Sequence, residues 1–414
     1  MAKRLALLTA GGDVPGQNFC LKMLVHLAGD QGYETIGVRK GWEGLMRYNP
    51  EDPTTHAENV IVLTRSRVRD IDRMGGSYLH SSRIDPSQVS PRLIPSFFGP
   101  LSESSQPVDL TGHIKRVLTK LQIECLVVLG DNRALRFAAH LSSQGVPIIG
   151  IPKSVHNDVN GSHYCLGFST ALARGVQFIH EVRAMAGSRE EIAVVEVLGR
   201  GFGLTTMLIS VLAGADRTLI PEVPFDPDRL AALLMQDKRL NPNNYAILAM
   251  SQGAKVLAEK ATQYAPALTR LAQSHLLAQV AAAKAQEIGA DESDYTLAGV
   301  TEMGTEVGGA GATVTEILEH ALGQRLIFQP LSYLIRTGQP DGQDMLGAAN
   351  FATLAMNLLA AGKIGRLASY RRGENYVDAP LEVVTRTEVE PPIASLYDAT
   401  IYSPVPGILW AARF

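Results

Sequence analysis

Apolar residues in the first third of the chain alternate between short continuous runs and longer segments with helical spacing. The short runs are RLALLTA (4–10), IECLVVLG (123–130) and VPIIGIP (146–152), and their length and apolar character predict buried β-strands. Helical spacing follows the first two runs, in GQNFCLKMLVHLAGDQG and RALRFAAHLSSQG. This alternation of strand and helix predicts a parallel, doubly wound sheet.

A second alternation of the same kind begins near Phe168. Helical segments TALARGVQFIHEVRAMAGS and TTMLISVLAGA accompany the strand-like runs EEIAVVEVLG and NYAILAMSQG, and residues 267–290 predict a long Ala/Leu helix. We therefore predict an α/β protein of two doubly wound, Rossmann-like units. Each unit would have a parallel-rich sheet, and a cleft would lie between the two units.

The composition is that of a globular protein with a sizeable core. Of the 414 residues, 46% are hydrophobic and 19% are charged, and the formal net charge is −3. So small a charge argues against nucleic acid or an anionic membrane surface as the main partner. No run approaches the ~18 apolar residues of a membrane-spanning helix. The three cysteines lack CxxC spacing, which is typical of a reducing compartment, so we expect a cytoplasmic protein.

Three glycine-containing loops follow predicted strands, where α/β proteins place ligand sites. TAGGDVPGQN (9–18) leads into a helix start, so its backbone N–H groups can face a phosphate. MGGSYLHSSR (74–83) ends in Arg83, which suits a fork-like phosphate contact. VVLGDNRA (127–134) contains Asp131, a candidate Mg²⁺ ligand. The structural alternatives are a tight turn, a solvated arginine and a helix cap.

The loop IPKSVHNDVNG (151–161) carries the densest set of reactive side chains. Lys153 and Ser154 suit a phosphate site, and Asp158 could serve acid–base chemistry near a substrate hydroxyl. His156 stands between them, at a place where a catalytic carboxylate is expected. Its imidazole can accept a proton near neutral pH, but as an imidazolium it would not act as a base.

Together these segments resemble the phosphofructokinase family. The motifs LTAGGDVPGQN, GGSYLHSSR, VVLGDNRA, PKSVHNDVNGSHYCLGFSTA, AVVEVLGRGFG, IPEVPFD, SQGAK and SYLIRTGQPDGQD occur in that family's order, from about Leu5 to Tyr402. The resemblance implies phosphoryl transfer from ATP or diphosphate to the 1-hydroxyl of fructose 6-phosphate, with Mg²⁺. Lys153 is similar to a lysine of the long, diphosphate-dependent forms.

The resemblance also assigns the two units and their site residues. Residues 1–167 with about 338–390 would bind the donor phosphate, and residues 168–337 with 391–414 would bind the sugar phosphate. The implied catalytic residues are Ser154, His156 and Asp158. The implied donor-binding residues are Gly11, Gly12, Arg83, Gly130, Asp131, Asn132, Arg133 and Lys153. The implied sugar-phosphate residues are Leu198, Gly199, Arg200, Gln252, Tyr333, Arg336 and Glu191.

Several of these positions depart from the family pattern. His156 replaces the aspartate that acts as the family's base. Asn132 replaces the metal-ligand aspartate, although a shift of one residue would restore Asp131 as the ligand. Gln252 replaces a glutamate that holds the sugar, and Glu191 replaces an arginine that reaches sugar phosphate from a neighbouring subunit. Loss of a base or of a charge-stabilising group typically lowers rates by ~10²–10⁴-fold.

Three functions remain open at this stage. The chain could be a non-catalytic, regulatory subunit that binds phosphate or nucleotide. It could instead be a phosphotransferase with altered chemistry or substrate, using His156 as base, or an ordinary ATP- or diphosphate-dependent 6-phosphofructokinase. The family resemblance also implies a homo-oligomer, dimer or tetramer, and a hetero-oligomer with an active relative would give a non-catalytic chain a purpose.

Overall fold

The apolar runs that predict buried strands form the centre of a seven-stranded sheet. Its strands are β1 (Lys3–Ala10), β2 (Tyr33–Val38), β3 (Val60–Leu63), β4 (Ile123–Gly130), β5 (Ile148–Pro152), β10 (Arg366–Arg371) and β11 (Asn375–Pro380). Their order is β11-β10-β5-β4-β1-β2-β3, and neighbours are parallel except in the pairs β2–β3 and β10–β11. β1 and β4 are buried along nearly their whole length, as expected for parallel strands covered on both faces.

Helices connect and cover these strands. They are α1 (Gln17–Asp30), α2 (Trp42–Arg47), α3 (His56–Asn59), α4 (Thr111–Lys120), α5 (Asn132–Ser143) and α11 (Gly342–Ala360). Aspartates cap two of them: Asp131 accepts a hydrogen bond from the Ala134 N–H at the start of α5, and Asp341 accepts one from the Asp344 N–H at the start of α11. Such caps satisfy backbone donors that the first helical turn leaves without partners.

This computed structural model divides the chain into two compact units. The structure describes residues 3–99, 106–261, 263–264, 310–386, 395–405 and 407. The first unit comprises Met1–Ala171, Tyr333–Val389 and Arg413–Phe414, and the second comprises Leu172–Ser332 and Glu390–Ala412. The boundary predicted from the sequence, near residue 337, would assign Tyr333 and Arg336 to the second unit. The structure groups both with the first, because the chain leaves the second unit at Ser332.

The second unit contains a smaller sheet. Its strands are β6 (Ile192–Val197), β7 (Arg217–Leu219), β8 (Ala246–Ser251) and β9 (Ile327–Pro330). Their order is β7-β8-β6-β9 and every pair is parallel. The helices are α6 (Phe168–Arg189), whose first turn belongs to the first unit, α7 (Leu204–Ala213), α8 (Pro227–Leu240), α9 (Ala258–Ala261) and α10 (Ala310–Leu322). A short hairpin pairs β12 (Tyr397–Asp398) with β13 (Ser403–Pro404). Two parallel-rich sheets with covering helices confirm the predicted α/β fold class.

The sequence predicts a long helix in its second half and shows no apolar run of membrane-spanning length. The long Ala/Leu helix predicted at residues 267–290 lies outside the described residues. Among the helices that the structure describes, none is long and apolar enough to cross a membrane. α6 has 22 residues, but charged side chains interrupt it.

A buried carboxylate joins α11 to the segment that leads into α6. Asp344 is fully buried, and four donors surround it. The Tyr164 hydroxyl and the Gly167 N–H each donate to Oδ1 at 2.6 Å, and the Thr170 N–H and hydroxyl donate to Oδ2 at 2.8 and 2.5 Å. Each oxygen therefore accepts two hydrogen bonds, which is how a buried carboxylate is stabilised without a cation.

Candidate functional site

The chain turns sharply where β1 ends, and the turn depends on glycine. Gly11 has φ +84°, a region that residues with a side chain rarely adopt. A Cβ at Gly11 would also lie 2.1 Å from Asp131 Oδ2. The Gly11 N–H donates to the Ser82 carbonyl at 2.9 Å, and the Ser81 hydroxyl donates to the Gly11 carbonyl at 2.6 Å. The first two glycine loops recognised in the sequence are thus joined by hydrogen bonds.

Three cations surround this turn. Lys153 is fully buried, and its amine donates to the Gly12 carbonyl at 2.6 Å. Arg336 is only 8% exposed, and its Nη1 donates to the Asp13 carbonyl at 3.3 Å. Arg83 is exposed, and its Nη2 would lie 3.6 Å from a Cβ placed on Gly12. Within the described part of the chain, none of these three cations has a carboxylate oxygen within 4.0 Å.

Burial determines the electrostatics of these cations. Burial lowers the pKa of Lys153 from 10.5 to about 8; Asp131 and Asp13 oppose this shift, and Arg336 and Arg83 reinforce it. Burial followed by repulsion from Arg83 also lowers the pKa of Arg336. Two buried positive charges therefore lie close to a third, and the nearby carboxylates compensate them only in part.

Hydrogen bonds fix the shape of the loop after β5. The Ser154 hydroxyl donates to Asp158 Oδ1 at 2.6 Å, and the His156 N–H donates to the Ser154 oxygen at 3.1 Å. Asn157 has φ +55°, and its side chain accepts from the Cys165 N–H at 2.7 Å. The three predicted catalytic side chains, Ser154, His156 and Asp158, are therefore held together in one loop.

His156 directs one ring nitrogen toward a cation. Its Nε2 lies 3.4 Å from Arg336 Nη2. Because a guanidinium can only donate, Nε2 must accept, and the ring proton of neutral His156 is then on Nδ1. Nδ1 is buried and has no hydrogen-bond partner among the described residues. Burial lowers the pKa of His156 to about 4, opposed by Asp158 and reinforced by Arg336 and Arg83, so the ring is neutral at pH 7.

The described residues do not fit a Mg²⁺ ion held by the protein, the metal that the family resemblance implies. Asp131 Oδ1 caps α5 by accepting from the Ala134 N–H at 3.0 Å. Both polar side-chain atoms of Asn132 are engaged, since Nδ2 donates to the Asp158 carbonyl and Oδ1 accepts from the Asn160 N–H. No three His, Cys, Asp or Glu side chains among the described residues lie close enough together to hold a metal. Asp131 Oδ1 is therefore a helix cap, as the structural alternative predicted, and its role as a metal ligand stays a prediction.

In the second unit, the loops after β6 and β8 contact each other closely. Gly199 has φ +143°, and its carbonyl accepts from the Gly253 N–H at 3.0 Å. A Cβ on Gly253 would lie 1.9 Å from the Arg200 carbonyl, so this approach requires glycine. Gln252 contacts the buried Glu196 across 3.5 Å. Three predicted sugar-phosphate residues, Gly199, Arg200 and Gln252, are therefore brought together.

The remaining predicted residues lie at several places. Leu198 is buried directly after β6, whereas Glu191 precedes that strand and so lies at its opposite end, roughly 20 Å away. Gly130 ends β4, and its carbonyl accepts from the backbone N–H of Lys153, the residue after β5. Arg133 is exposed in the first turn of α5, and Tyr333 is 53% exposed in the first unit.

Arg336 lies in a different unit from the one that the sequence predicts, and its role in sugar-phosphate binding stays a prediction. The sequence resemblance implies that it binds sugar phosphate as part of the second unit. In the structure its guanidinium lies in the first unit, against the Asp13 carbonyl and the His156 ring. It follows a short 3₁₀ turn, Ser332–Ile335, that begins at the boundary of the units.

The sequence analysis missed residues that position the site. Asp13 accepts from Arg336 through its backbone carbonyl, an atom that every residue has, so its identity gives no signal. Asn160 anchors Asn132, and Glu196 supports Gln252 while accepting from the Gly311 N–H at 2.7 Å. A carboxylate inside an otherwise apolar strand, as in IAVVEV, is the one signal that could have identified Glu196.

The sequence is similar to known phosphofructokinases along most of its length. A family model described as Phosphofructokinase matches residues 4–359. The ATP-dependent 6-phosphofructokinases of Chloroflexus aurantiacus and Chloroflexus aggregans are 27% and 28% identical over 380 residues, which cover 92% of this chain and 90% of each relative. The enzyme of that name from Streptococcus pyogenes is 26% identical over 381 residues, covering 92% of this chain and 88% of its own.

Solved structures share the fold. The pyrophosphate-dependent phosphofructokinase from Marinobacter aquaeolei aligns with a TM-score of 0.70 at 16% identity, covering 99% of this chain and 91% of that one. The corresponding protein from Nitrosospira multiformis aligns with a TM-score of 0.70 at 15% identity, covering 100% and 91%. Because the family model spans most of the sequence, the chain belongs to the phosphofructokinase family.

Proposed function

We propose that this family member binds a phosphate anion in its first unit without transferring the phosphoryl group, and that it acts as a regulatory subunit. One observation carries the proposal: His156, at the position of the family's base, has its Nε2 facing the Arg336 guanidinium at 3.4 Å. The lone pair that would accept a substrate proton is therefore directed at a cation. A base must lie within hydrogen-bond reach of the proton that it removes.

Other positions support the same proposal. Phosphoryl transfer depends on metal ions and cations that neutralise charge developing between donor and acceptor. Asn132 offers a neutral amide whose atoms are already hydrogen-bonded, and Gln252 offers a neutral amide in place of the carboxylate that the resemblance implies. In an oligomer, Glu191 would repel a phosphorylated sugar bound by a neighbouring subunit, where the resemblance implies an arginine.

A second candidate is a phosphotransferase with altered chemistry. The Ser154–Asp158 hydrogen bond of 2.6 Å is the observation that favours it, because it holds two of the predicted catalytic side chains together. The neutral ring of His156 could accept a proton if Arg336 moved away. The relatives named as ATP-dependent 6-phosphofructokinases add weight to this alternative.

An activity assay separates the two candidates. The pure chain would be incubated with fructose 6-phosphate, magnesium and either ATP or diphosphate, and fructose 1,6-bisphosphate would be measured. We expect no product above a protein-free blank. Turnover that disappears in His156→Ala would overturn the proposal in favour of the altered phosphotransferase. Turnover that persists in His156→Ala would overturn both the proposal of a non-catalytic chain and the role of His156 as the base.

The proposed role also implies a partner and a location. A regulatory subunit needs an active relative, so we propose a hetero-oligomer with a catalytically intact phosphofructokinase, with the homo-oligomer as the alternative. The three cysteines, Cys20, Cys125 and Cys165, are buried and unbridged, which agrees with the proposed reducing, cytoplasmic environment. Co-purification of the tagged chain with its relatives from the source cell tests this assembly.

Gly12 provides a direct test of the turn as the anion site. A Cβ on Gly12 would lie 2.7 Å from Arg336 Nη1, so Gly12→Ala should push the guanidinium away from the turn. We expect diphosphate affinity to fall by about tenfold or more, as for loss of one charged hydrogen bond, while the fold is retained. Gly112→Ala is the matched control, because nothing lies within 4 Å of a Cβ there. Equal affinity in the two variants would argue against the site.

A further inference from the structure

We propose that the anion bound at this turn is a diphosphate group free of divalent metal, and that Lys153 and Arg336 occupy the role that a metal ion would have. The inference rests on the proposed phosphate-binding function of the same site. It adds the form of the ligand: the uncomplexed anion, competing with its own magnesium complex.

The charge of the site favours an anionic ligand. A buried cation is normally paired with a carboxylate, because removing an ion from water without a partner costs several kcal/mol. Lys153 is fully buried and Arg336 is more than nine-tenths buried. The Lys153 amine contacts a backbone carbonyl, and the Arg336 guanidinium contacts a backbone carbonyl and an imidazole. Among the described residues, no carboxylate oxygen lies within 4.0 Å of either cation. An anionic ligand would supply the missing charge.

Hydrogen-bond donors that lack a partner among the described residues also indicate a ligand. Arg336 Nε is buried without a hydrogen-bond partner, and so is His156 Nδ1, which carries a proton when Nε2 accepts from Arg336. The backbone N–H groups of Gly12 and Asp13 also donate to no acceptor among the described residues. Unpartnered buried donors are rare in folded proteins. Two of them beside one glycine turn, together with two backbone N–H groups of half-buried residues that lack an acceptor among the described residues, indicate a ligand with many acceptor oxygens, as diphosphate has.

The charges around the turn disfavour a divalent metal ion. The nearest carboxylates each have one oxygen in a structural hydrogen bond: Asp131 Oδ1 caps α5, and Asp13 Oδ1 accepts from Gln17 at 3.4 Å. A divalent ion bound here would add two more positive charges beside Lys153, Arg336 and Arg83. A diphosphate already complexed with magnesium has less negative charge to offer these cations, so we expect it to bind less tightly.

Isothermal titration of the full chain with sodium diphosphate tests the inference. We expect binding in EDTA and an affinity on the order of tenfold weaker with excess magnesium. Binding that needs magnesium, or no binding in EDTA, would overturn the inference. The result is independent of turnover: product formation would contradict the proposed function, whereas a magnesium requirement for binding would contradict only the metal-free ligand.

A parallel titration with ATP in EDTA separates two sources of the group. Binding of ATP as well as diphosphate would mean that the site accepts the terminal phosphates of a nucleotide. Binding of diphosphate alone would mean that it selects the free anion. Both results support the metal-free assignment, and failure of both ligands in EDTA contradicts it.

Variants of Arg336 identify the residue that replaces the metal. Arg336→Met should weaken diphosphate binding in EDTA by about 10–100-fold, and Arg336→Lys should weaken it less, because one positive charge is kept. Arg67→Met is the matched control, since Arg67 is an exposed arginine of the same unit and should not affect affinity. Thermal melting without ligand checks folding. Unchanged affinity in a folded Arg336→Met protein would contradict the role assigned to this arginine.

Discussion

Replacing Lys153 with methionine is expected to raise the melting temperature of the ligand-free protein and to abolish its stabilisation by diphosphate. The amine is fully buried, and burial lowers its pKa from 10.5 to about 8. That shift corresponds to roughly 3 kcal/mol against the charged folded state. Methionine has a similar shape without the charge, although it loses the hydrogen bond to the Gly12 carbonyl, worth about 1 kcal/mol. The net gain should be a few degrees in melting temperature.

The pH dependence of stability gives the same prediction a second readout. Since the folded pKa of Lys153 lies below the unfolded value, the folded chain binds fewer protons than the unfolded chain between about pH 8 and pH 10.5. Its contribution to stability therefore rises with pH across that window. The charged groups that face the amine are Asp131, Asp13, Arg336 and Arg83. The difference in melting temperature between wild type and Lys153→Met should shrink from pH 7 to pH 10.

A paired lysine in the same unit provides the control. Lys22 donates to Asp72 at 2.8 Å and to the Arg69 carbonyl at 2.7 Å. Lys22→Met removes a compensated charge, so it should leave the melting temperature unchanged or lower it slightly. The account would be contradicted if Lys153→Met were the less stable of the two variants and still bound diphosphate as the wild type does.

Substituting asparagine for Asp344 is expected to be strongly destabilising. The carboxylate accepts two hydrogen bonds at each oxygen, and the amide of asparagine would turn an NH₂ group toward two donors. Leaving two buried donors without an acceptor should lower the free energy of unfolding by about 3 kcal/mol or more. Urea denaturation of the purified variant measures this change.

The control for Asp344 lies on the same helix. Asp341 caps α11, and asparagine is about as good a cap as aspartate, so Asp341→Asn should change the unfolding free energy by less than about 0.5 kcal/mol. Similar small losses in both variants would mean that the four hydrogen bonds of Asp344 contribute little. Similar large losses would mean that the negative charge of either residue, rather than the pattern of donors, is what matters.

The sequence predicted the parts of the molecule that depend on local pattern. β4 runs from Ile123 to Gly130, the bounds of the predicted run itself, because a parallel strand covered on both faces is apolar along most of its length. The glycine turn after β1 was likewise visible, since a positive φ at Gly11 favours glycine. Family resemblance, rather than spacing, supplied the roles of the loop residues.

The rest of the site depends on contacts between distant parts of the chain. Arg336 and Asp13 are 323 residues apart, and no local pattern places a guanidinium against that carbonyl. The tautomer of His156 follows from the same arginine, so the chemistry of the loop could not be derived from the loop's own sequence. The boundary between the units is a further example, because Tyr333 follows β9 of the second unit but packs with the first.

A single-turnover experiment tests most directly whether the glycine turn of the first unit holds phosphate without transferring it. Pure protein in excess over fructose 6-phosphate would be mixed with magnesium and either ATP or diphosphate, then quenched over a range of times. Because the protein is in excess, slow product release cannot explain a failure to detect product. The account predicts no fructose 1,6-bisphosphate above the protein-free blank at any time. Conversion of the bound sugar at a rate near the 1–100 s⁻¹ typical of kinases would contradict it.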